Sequence, residues 1–519
     1  MKFTAFLIFN FLFLSLSSQT QKYWVFFKDK PNPLMPNLSP KSIERRAKFH
    51  INIDYTDYPV SSDYVKQIED LGFTIEKKSK WLNAVSVYAD AQELQFIQNL
   101  PFVVQIQPVI KWKVEKNPSD KSEKTQLNYG NSEIQNQMIN IPYLHNLGYT
   151  GSGILIGIFD SGFINANQHT ALKRVFDNNK VVAAYNFVQN NTNVYTLDGH
   201  GTMVWSCIAS YIPDTMVGTG YDAEFVLAIT EDVGSETTAE EDNWLAAMEW
   251  ADSLGVDIIN TSLGYSEMDG GGFYTYRDMD GNTTIITRAA DIASSKGILC
   301  VVSAGNEGNG SWKKITAPCD ADSVLCVGSV NFNRLKSSFS SFGPSYDGRI
   351  KPDIMAMGGN SAIANPNLSL GFASGTSFSA PIITGLVACL WQANPSKNNM
   401  QIIDAIKKSS DRAFNPDTLY GWGIPDAAKA DSILKGFTIS KDLDSFQNLI
   451  IYPNPAHHLL YFKNVPLSVH LSIFDFTGKL IYENAINEPK LEVSRFPRGW
   501  ILIHFRNSHG QISQKIYLE

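Results

Sequence analysis

The most reactive residue types of the chain stand just after apolar segments, at Asp160, His200 and Ser377. They supply a carboxylate, an imidazole and a hydroxyl, which are the groups that nucleophilic catalysis combines. A hydroxyl attacks an acyl carbon when a nearby imidazole takes its proton, and a carboxylate holds that imidazole in one tautomer. These residue types indicate acyl transfer if the fold brings them together.

Each residue also has a plainer interpretation when it is taken alone. Asp160 ends the run ILIGIFD, where an Asp commonly caps a turn. His200 lies between glycines in DGHGT, as a turn histidine or a metal ligand would, although no His or Cys three to five residues away completes a zinc pair. Ser377 precedes the apolar segment ITGLVACLWQ and could be a helix N-cap, at a position where backbone N–H groups also favour developing negative charge.

The elements that must position these residues lie in a region that we assign as 134–438. Apolar runs alternate there with segments of helical spacing, and the runs are ILIGIFD, EFVLAIT, DIINTSLG, ILCVVSAG and SVLCVGSV. Strands that are apolar throughout and joined by helices predict an α/β fold, with a parallel sheet covered by helices on both faces. Because ligands bind at the carboxyl ends of such strands, the residues after each run are the candidates for a site.

Three short strings carry a resemblance to a known family. Asp160 lies in IGIFDSG, His200 in DGHGTMV and Ser377 in GTSFSAP. In sequence, order and spacing these strings resemble the signature segments of subtilisin-like serine peptidases, the S8 family or subtilases. The resemblance extends over about 300 residues and implies the subtilisin-like fold.

The resemblance implies a role for each residue. Ser377 would be the nucleophile, His200 the general base and then acid, and Asp160 the group that orients the imidazole. The segment SAGNEG resembles the family's oxyanion loop, so the Asn306 amide and the Ser377 backbone N–H would bind the oxyanion. By the same resemblance, the substrate-binding residues would be Ser262, Leu263, Gly264, Ser303, Ala304 and Gly305.

The substrate would be an extended protein or peptide segment, and no charged residue in these strings dictates a strict preference. We expect broad specificity that favours large apolar or aromatic side chains. The chemistry would need no cofactor. Structural calcium is a further hypothesis, for which Asp278, Asp280 and Asn282 are weak candidates, because D/N/G clusters are usually turns.

The N-terminal end indicates an exported precursor. Residues 1–18, MKFTAFLIFNFLFLSLSS, have the layout of a cleaved signal peptide, and their apolar run is shorter than a bilayer span. From Lys22 to about Trp112 the pattern predicts strand, helix, strand, helix, strand, a small α+β domain that resembles the family's inhibitory propeptide. We assign the propeptide to 19–115 and an exposed linker to 116–133. A permanent accessory domain is the alternative.

The C-terminal end, 447–519, breaks into seven short alternating runs separated by turn signals, which predicts an immunoglobulin-like β-sandwich. The segments YPNPA, SIFDFTGKLIY and VSRFPRGWILIHF resemble the type A sorting domain that directs proteins of Bacteroidota through the type IX secretion machinery. The resemblance implies a secreted or cell-surface protein. A carbohydrate-binding or adhesion sandwich is the alternative.

Composition limits the remaining possibilities. The 519 residues carry 43 Lys and Arg against 51 Asp and Glu, so the net charge of −8 disfavours a nucleic-acid partner. Of the five cysteines, Cys319 and Cys326 are candidates for a disulfide, whereas Cys207, Cys300 and Cys389 lie in apolar segments as buried hydrophobes. We expect a monomeric, self-processing endopeptidase. The alternative is a catalytically silent surface-binding protein on a peptidase scaffold.

Overall fold

The computed structural model divides into two compact units, residues 1–430 and 431–519. It describes residues 20–31, 33–90, 92–109, 128–232, 238–266, 274–436, 449–463, 469–475, 479–486, 488–507 and 510–519. The predicted signal peptide and most of the predicted linker lie outside these ranges.

The first unit begins with a small α+β domain. Its elements are β1 (Gln21–Phe27), α1 (Pro40–Lys48), α2 (Ser62–Asp70), β2 (Ile75–Ser79), β3 (Ala84–Ala89), α3 (Glu93–Gln98) and β4 (Val103–Val109). The strands form one sheet in the order β2-β3-β1-β4. The three predicted strands and two predicted helices are present, as β1, β3, β4, α2 and α3.

Helix α1 and strand β2 were not predicted. In α1 the buried residues are Ser42, Arg45 and Arg46, so the helix shows no apolar stripe. In strand β2, IEKKS, exposure alternates along the strand, but the segment contains two lysines and only one apolar residue, so it does not indicate an apolar strand. Both elements form because their polar side chains find partners elsewhere in the first unit.

The remainder of the first unit is built around a central sheet. Its elements are α4 (Glu133–Met138), α5 (Ile141–Asn146), β5 (Leu155–Asp160), α6 (Lys173–Asp177), β6 (Val181–Asn186), α7 (His200–Ala209), β7 (Tyr211–Ile212), β8 (Met216–Val217), β9 (Glu224–Ile229), α8 (Thr238–Leu254), β10 (Ile258–Thr261), α9 (Ile285–Ser295), β11 (Leu299–Ser303), β12 (Leu325–Val330), β13 (Ile354–Met357), β14 (Ser361–Ala364), β15 (Leu370–Ala373), α10 (Thr376–Ala393) and α11 (Asn399–Ser409). Helix α12 (Ala427–Leu434) follows α11 in the chain.

The central sheet has seven strands in the order β13-β12-β11-β10-β5-β9-β6, and all neighbouring strands are parallel. Leu155 and Phe159 of β5 belong to the core that α8 and α9 share. Ile156 and Ile158 of the same strand point to the opposite face by alternation, and they are also fully buried. The sheet is therefore covered on both faces, as predicted.

The predicted linker is too long at its C-terminal end. Tyr129 is almost fully buried, and its hydroxyl makes a 2.8 Å hydrogen bond with Nδ1 of His145. A Cβ at Gly130 would lie 2.3 Å from the carbonyl oxygen of Thr215, so the chain packs closely here. These contacts could not be predicted from the polar composition of the segment. Because of them, residues 128–133 belong to the central domain.

Helix α10 is long and apolar enough to cross a membrane by length and composition. However, 89% of it is buried within the protein, against the central sheet and α7. Helix α10 is therefore a core helix of the first unit.

The five cysteines are placed as the sequence indicated. Cys319 and Cys326 form a disulfide with a Cα–Cα distance of 5.1 Å. Cys207, Cys300 and Cys389 are free and buried.

The second unit contains two antiparallel sheets. Strands β16 (Ile450–Tyr452), β17 (Leu459–Lys463) and β20 (Lys490–Glu492) form one sheet, and β18 (His470–Asp475), β19 (Leu480–Ala485), β21 (Gly499–Asn507) and β22 (Gly510–Leu518) form the other. One apolar core contains residues of both sheets, including Phe462 and Phe505, whose rings meet edge to face. The predicted seven-stranded sandwich is confirmed.

Candidate active site

Asp160, His200 and Ser377 come together at the carboxyl edge of the central sheet. Asp160 is the last residue of β5, His200 is the first residue of α7 and Ser377 is the second residue of α10. The sequence placed the start of α7 near Met203, three residues too late, because the glycines beside His200 obscure a helix start. These glycines allow close packing, since a Cβ at Gly201 would lie 2.6 Å from the carbonyl oxygen of Gly162.

The carboxylate and the imidazole are directly paired. Nδ1 of His200 lies 2.7 Å from Oδ1 of Asp160, which also accepts the backbone N–H of Ser161 at 2.8 Å. Asp160 is fully buried and His200 is nearly so. Because a carboxylate only accepts hydrogen bonds, Nδ1 of His200 is the donor in this pair, and Nε2 is the ring nitrogen left to meet another partner.

Ser377 is held by a reciprocal pair of hydrogen bonds. Its hydroxyl donates to the carbonyl oxygen of Ser262 at 3.1 Å, and the Ser262 hydroxyl donates to the carbonyl oxygen of Ser377 at 2.9 Å. Of the described groups, Ser262 receives the Ser377 proton and His200 does not. The hydroxyl must leave Ser262 before it can donate to His200, and such contacts are often loose before substrate binds.

Asn306 lies in the loop that follows β11. Its side-chain oxygen accepts the backbone N–H of Thr376 at 2.9 Å and the Thr376 hydroxyl at 3.0 Å. The amide orientation is thereby set, and Asn306 is exposed. The preceding Gly305 has φ +99°, and a Cβ there would lie 2.9 Å from Thr316, so this tight loop requires glycine.

The two segments predicted to bind substrate follow neighbouring strands. Ser262, Leu263 and Gly264 come directly after β10, and Ser303 ends β11 before Ala304 and Gly305. The Ser303 hydroxyl donates to the carbonyl oxygen of Leu263 at 3.2 Å, which joins the segments. Ser262 and Ser303 are buried, and their hydroxyls donate to the carbonyl oxygens of Ser377 and Leu263.

The weak calcium candidates use their oxygens within their own turn. Oδ2 of Asp278 accepts the backbone N–H and the hydroxyl of Thr275, and both Asp280 oxygens accept from Asn282 or Thr283. Among the described residues no group of three or more His, Cys, Asp or Glu side chains is placed to hold a metal ion. Calcium binding, at these three residues or elsewhere in the protein, stays a prediction.

The sequence missed how the N-terminal domain attaches to the central domain. Trp24 is buried in the same core as Trp244, and its indole N–H donates to Asp242, which also pairs with Lys22 at 2.6 Å. One strand, β1, therefore contributes both an apolar and a charged contact to helix α8.

Helix α8 also receives the hairpin that joins β2 to β3. The carboxylate of Glu249 accepts the Ser79 hydroxyl at 2.7 Å and the backbone N–H groups of Lys80 and Trp81, each at 3.1 Å. No local signal in the sequence predicts this contact, because Glu249 and Ser79 lie 170 residues apart.

A buried ion cluster attaches α1 to the end of α8. Asp252 pairs with both Arg45 and Arg46, the latter at 2.7 Å. Arg46 also pairs with Asp57 at 2.7 Å, and Asp57 lies 3.3 Å from Lys296, which follows α9. The signal in the sequence was the pair of arginines in IERRAK, although their shared partner Asp252 lies more than 200 residues away.

Comparisons with known proteins agree with this geometry. The parallel sheet with a serine, an Asp–His pair and an oriented amide at its edge is that of an α/β serine hydrolase. A model of the subtilase family matches residues 151–423, just over half of the chain, and the chain therefore belongs to the subtilase family. It is a serine endopeptidase that hydrolyses peptide bonds.

Curated relatives are subtilisins and alkaline proteases. Subtilisin NAT of Bacillus subtilis subsp. natto is 28% identical over 382 residues, which cover 73% of this chain and 88% of that protein. Subtilisin E of Bacillus subtilis is 28% identical with the same coverage. The M-protease of Shouchella clausii is 25% identical over 395 residues, 75% of this chain and 93% of that protein.

The two ends also match family models. Residues 22–126 match the peptidase S8 propeptide domain of Bacteroidota, and residues 450–519 match a secretion-system C-terminal sorting domain. The protein is therefore a protease precursor with a propeptide and a type IX sorting domain, which directs it to the cell surface or the medium.

Proposed function

We propose that Asp160, His200 and Ser377 form the catalytic triad of this endopeptidase and that Asn306 supplies an oxyanion-hole donor. The observation that carries the proposal is the 2.7 Å contact between the buried Asp160 carboxylate and Nδ1 of His200, at the edge where α10 presents Ser377. A buried carboxylate in this position favours the imidazolium that forms during proton transfer.

The chemistry proceeds in two stages. Ser377 Oγ attacks the scissile carbonyl carbon while Nε2 of His200 takes the hydroxyl proton, and the oxyanion accepts hydrogen bonds from the Asn306 amide and the Ser377 backbone N–H. His200 then gives its proton to the departing amine, which leaves an acyl-enzyme. Water attacks the ester carbonyl carbon while His200 takes its proton, and His200 then returns that proton to Ser377 Oγ as the carboxylic acid product leaves. This chain supplies all of the catalytic groups, and water is the only reactant besides the substrate.

We further propose that the enzyme processes itself. The N-terminal domain packs on α8 and α9 of the precursor, and cleavage in the segment before the central domain would separate the two. The substrate would bind as an extended segment along Ser262–Gly264 and Ser303–Gly305, with broad specificity. We expect the mature enzyme to act as a monomer.

The test uses the wild-type precursor and Ser377→Ala. Wild type should react covalently with a fluorophosphonate probe and cleave unfolded casein, and the variant should do neither. A folded wild type that does not label and does not cleave would contradict the triad and favour the silent surface-binding alternative.

Processing is read from the same pair of proteins by mass spectrometry of their termini. Ser377→Ala should remain uncut when it is alone, and added active enzyme should cut it if the segment is accessible in trans. Normal processing of Ser377→Ala in the absence of active enzyme would contradict self-processing.

A further inference from the structure

A single hydroxyl group lies between two carboxylates next to the candidate triad. Ser161 Oγ is 2.9 Å from Oδ2 of Asp198 and 3.2 Å from Oδ1 of Asp160. Asp198 stands two residues before His200, so the segments that carry Asp160 and His200 are joined by this bridge. The triad chemistry proposed above does not use Asp198.

The bridge is rigidly built. A Cβ at Gly162 would lie 2.5 Å from the backbone nitrogen of Asp198, so the two segments are in backbone contact. The Asp198 carbonyl oxygen accepts the N–H of Ile164 at 3.0 Å, and its Oδ1 accepts the N–H of Gly199 at 2.6 Å. The Asp198 carboxylate is therefore held in position from both sides.

The Ser161 hydroxyl has one hydrogen and can serve only one carboxylate at a time. Its shorter contact is with Asp198. When it donates there, Oδ1 of Asp160 keeps its acceptor strength for Nδ1–H of His200. Oδ2 of Asp160 is buried and has no hydrogen-bond partner among the described residues, so the direction of this one hydroxyl matters.

We propose that Asp198 is a positioning residue that acts through Ser161 on the Asp160–His200 pair. It draws the Ser161 proton away from Asp160, which leaves Asp160 the stronger partner of a protonated imidazole. This inference rests on the proposed triad. Among the described residues, hydrogen bonds connect His200 of α7 with Asp160 at the end of β5 and, through Ser161, with Asp198 in the loop before α7. From α10, the uncharged Phe378 ring lies beside His200.

The test is the pH dependence of kcat/KM for Asp198→Asn, with active enzyme counted by fluorophosphonate labelling. Without the charge, the protonated imidazole is less favoured, so the acid limb should move to lower pH by about half a unit. The plateau should fall by about threefold to tenfold because the proton acceptor is weaker. A purely structural defect would lower the fraction of enzyme that the fluorophosphonate labels and would leave the acid limb of the kcat/KM profile at the same pH.

The route through Ser161 is tested by a double-mutant cycle. In a Ser161→Ala background, Asp198→Asn should shift the acid limb by less than half as much, whereas an equal shift would show direct action through space and overturn the route. Ser161→Thr keeps the hydroxyl and should keep the pH position of the limb.

Asp177→Asn, which removes an exposed carboxylate paired with Lys173, is the matched charge control and should not shift the limb. A wild type that does not label contradicts the triad itself. An active wild type whose pH profile coincides with that of Asp198→Asn contradicts only the role of Asp198.

Discussion

The side-chain oxygen of Asn306 accepts two hydrogen bonds from Thr376, one from its backbone N–H and one from its hydroxyl. Thr376 is the first residue of α10 and directly precedes Ser377. The loop after β11 is thus fastened to the start of the helix that carries the candidate nucleophile. Because Oδ1 of Asn306 is used by these two hydrogen bonds, its NH2 group is the part of the amide that is left to donate.

Replacing Asn306 tests this orientation. Asn306→Ala removes the free donor, and loss of the corresponding donor in subtilisin lowers kcat by about 10²–10³. Asn306→Asp keeps an oxygen that can accept from Thr376 but has no N–H to donate, so we expect a loss at least as large. Steady-state kinetics on a peptide substrate should show the change in kcat with KM little altered. An active Asn306→Asp enzyme would contradict the assignment.

The ion cluster at the end of α8 predicts that a substitution at Asp252 lowers the stability of the precursor but not that of the mature enzyme. The cations that pair with Asp252 are Arg45, Arg46 and Lys80, all in the N-terminal domain. Asp252→Asn leaves the buried Arg45 guanidinium without its carboxylate partner and leaves Arg46 with Asp57 alone, and breaking such a buried pair costs about 3–5 kcal/mol. In the uncut Ser377→Ala precursor, the midpoint of thermal unfolding should fall clearly.

The same substitution should change the stability of the mature, fluorophosphonate-blocked enzyme by less than about 0.5 kcal/mol, as for other surface sites. Asp404→Asn, which breaks an exposed pair with Lys408, is the control and should affect neither form. Equal destabilisation of precursor and mature enzyme would show that Asp252 supports the central domain by itself.

The positions of Asp160 and Ser377 could be predicted from the sequence, because apolar runs mark the strand that ends at Asp160 and the helix that begins next to Ser377. Asp160 does end β5, and Ser377 does lie in the first turn of α10. The seven C-terminal strands were predictable for the same reason, since alternation and turns are local signals.

Contacts between charged residues distant in sequence could not be predicted in this way. The burial of Arg45 depends on Asp252, and neither local segment contains a sign of the other. The same holds for the Ser161–Asp198 bridge and for the fastening of Asn306 by Thr376. Hydrophobic periodicity reports which face of an element is buried, but not which polar groups it will meet.

A buried carboxyl on α8 predicts a loss of stability at alkaline pH. Burial raises the pKa of Glu241 from 4.5 to about 8, although its side chain accepts from the Tyr274 hydroxyl. The folded state therefore favours the neutral carboxyl, whose contribution is complete below pH 4.5 and is lost as the pH rises through 8. In the Ser377→Ala background, Glu241→Gln should remove this loss and be relatively more stable at pH 9 than at pH 5.

The matched control for Glu241→Gln is Tyr274→Phe, which removes a donor and leaves the carboxyl in place. It should keep the alkaline loss, because burial rather than the Tyr274 hydroxyl raises the pKa of Glu241. Thermal unfolding between pH 5 and pH 9 gives the comparison. Parallel pH curves for Glu241→Gln and its parent would mean that Glu241 is ionised in the folded protein.

A buried histidine predicts the opposite dependence on the acid side. Burial lowers the pKa of His145 from 6.5 to about 4, and the neutral ring is satisfied by the Tyr129 hydroxyl at Nδ1 and the Thr219 carbonyl at Nε2. Its contribution is complete above pH 6.5 and is lost as the pH falls through 4, by up to about 3 kcal/mol. In the Ser377→Ala background, His145→Gln should be less stable at pH 7 and lose less stability on acidification. Tyr129→Phe, which leaves the imidazole buried, should retain the full acid loss, and an unchanged slope in His145→Gln would place the titrating group elsewhere.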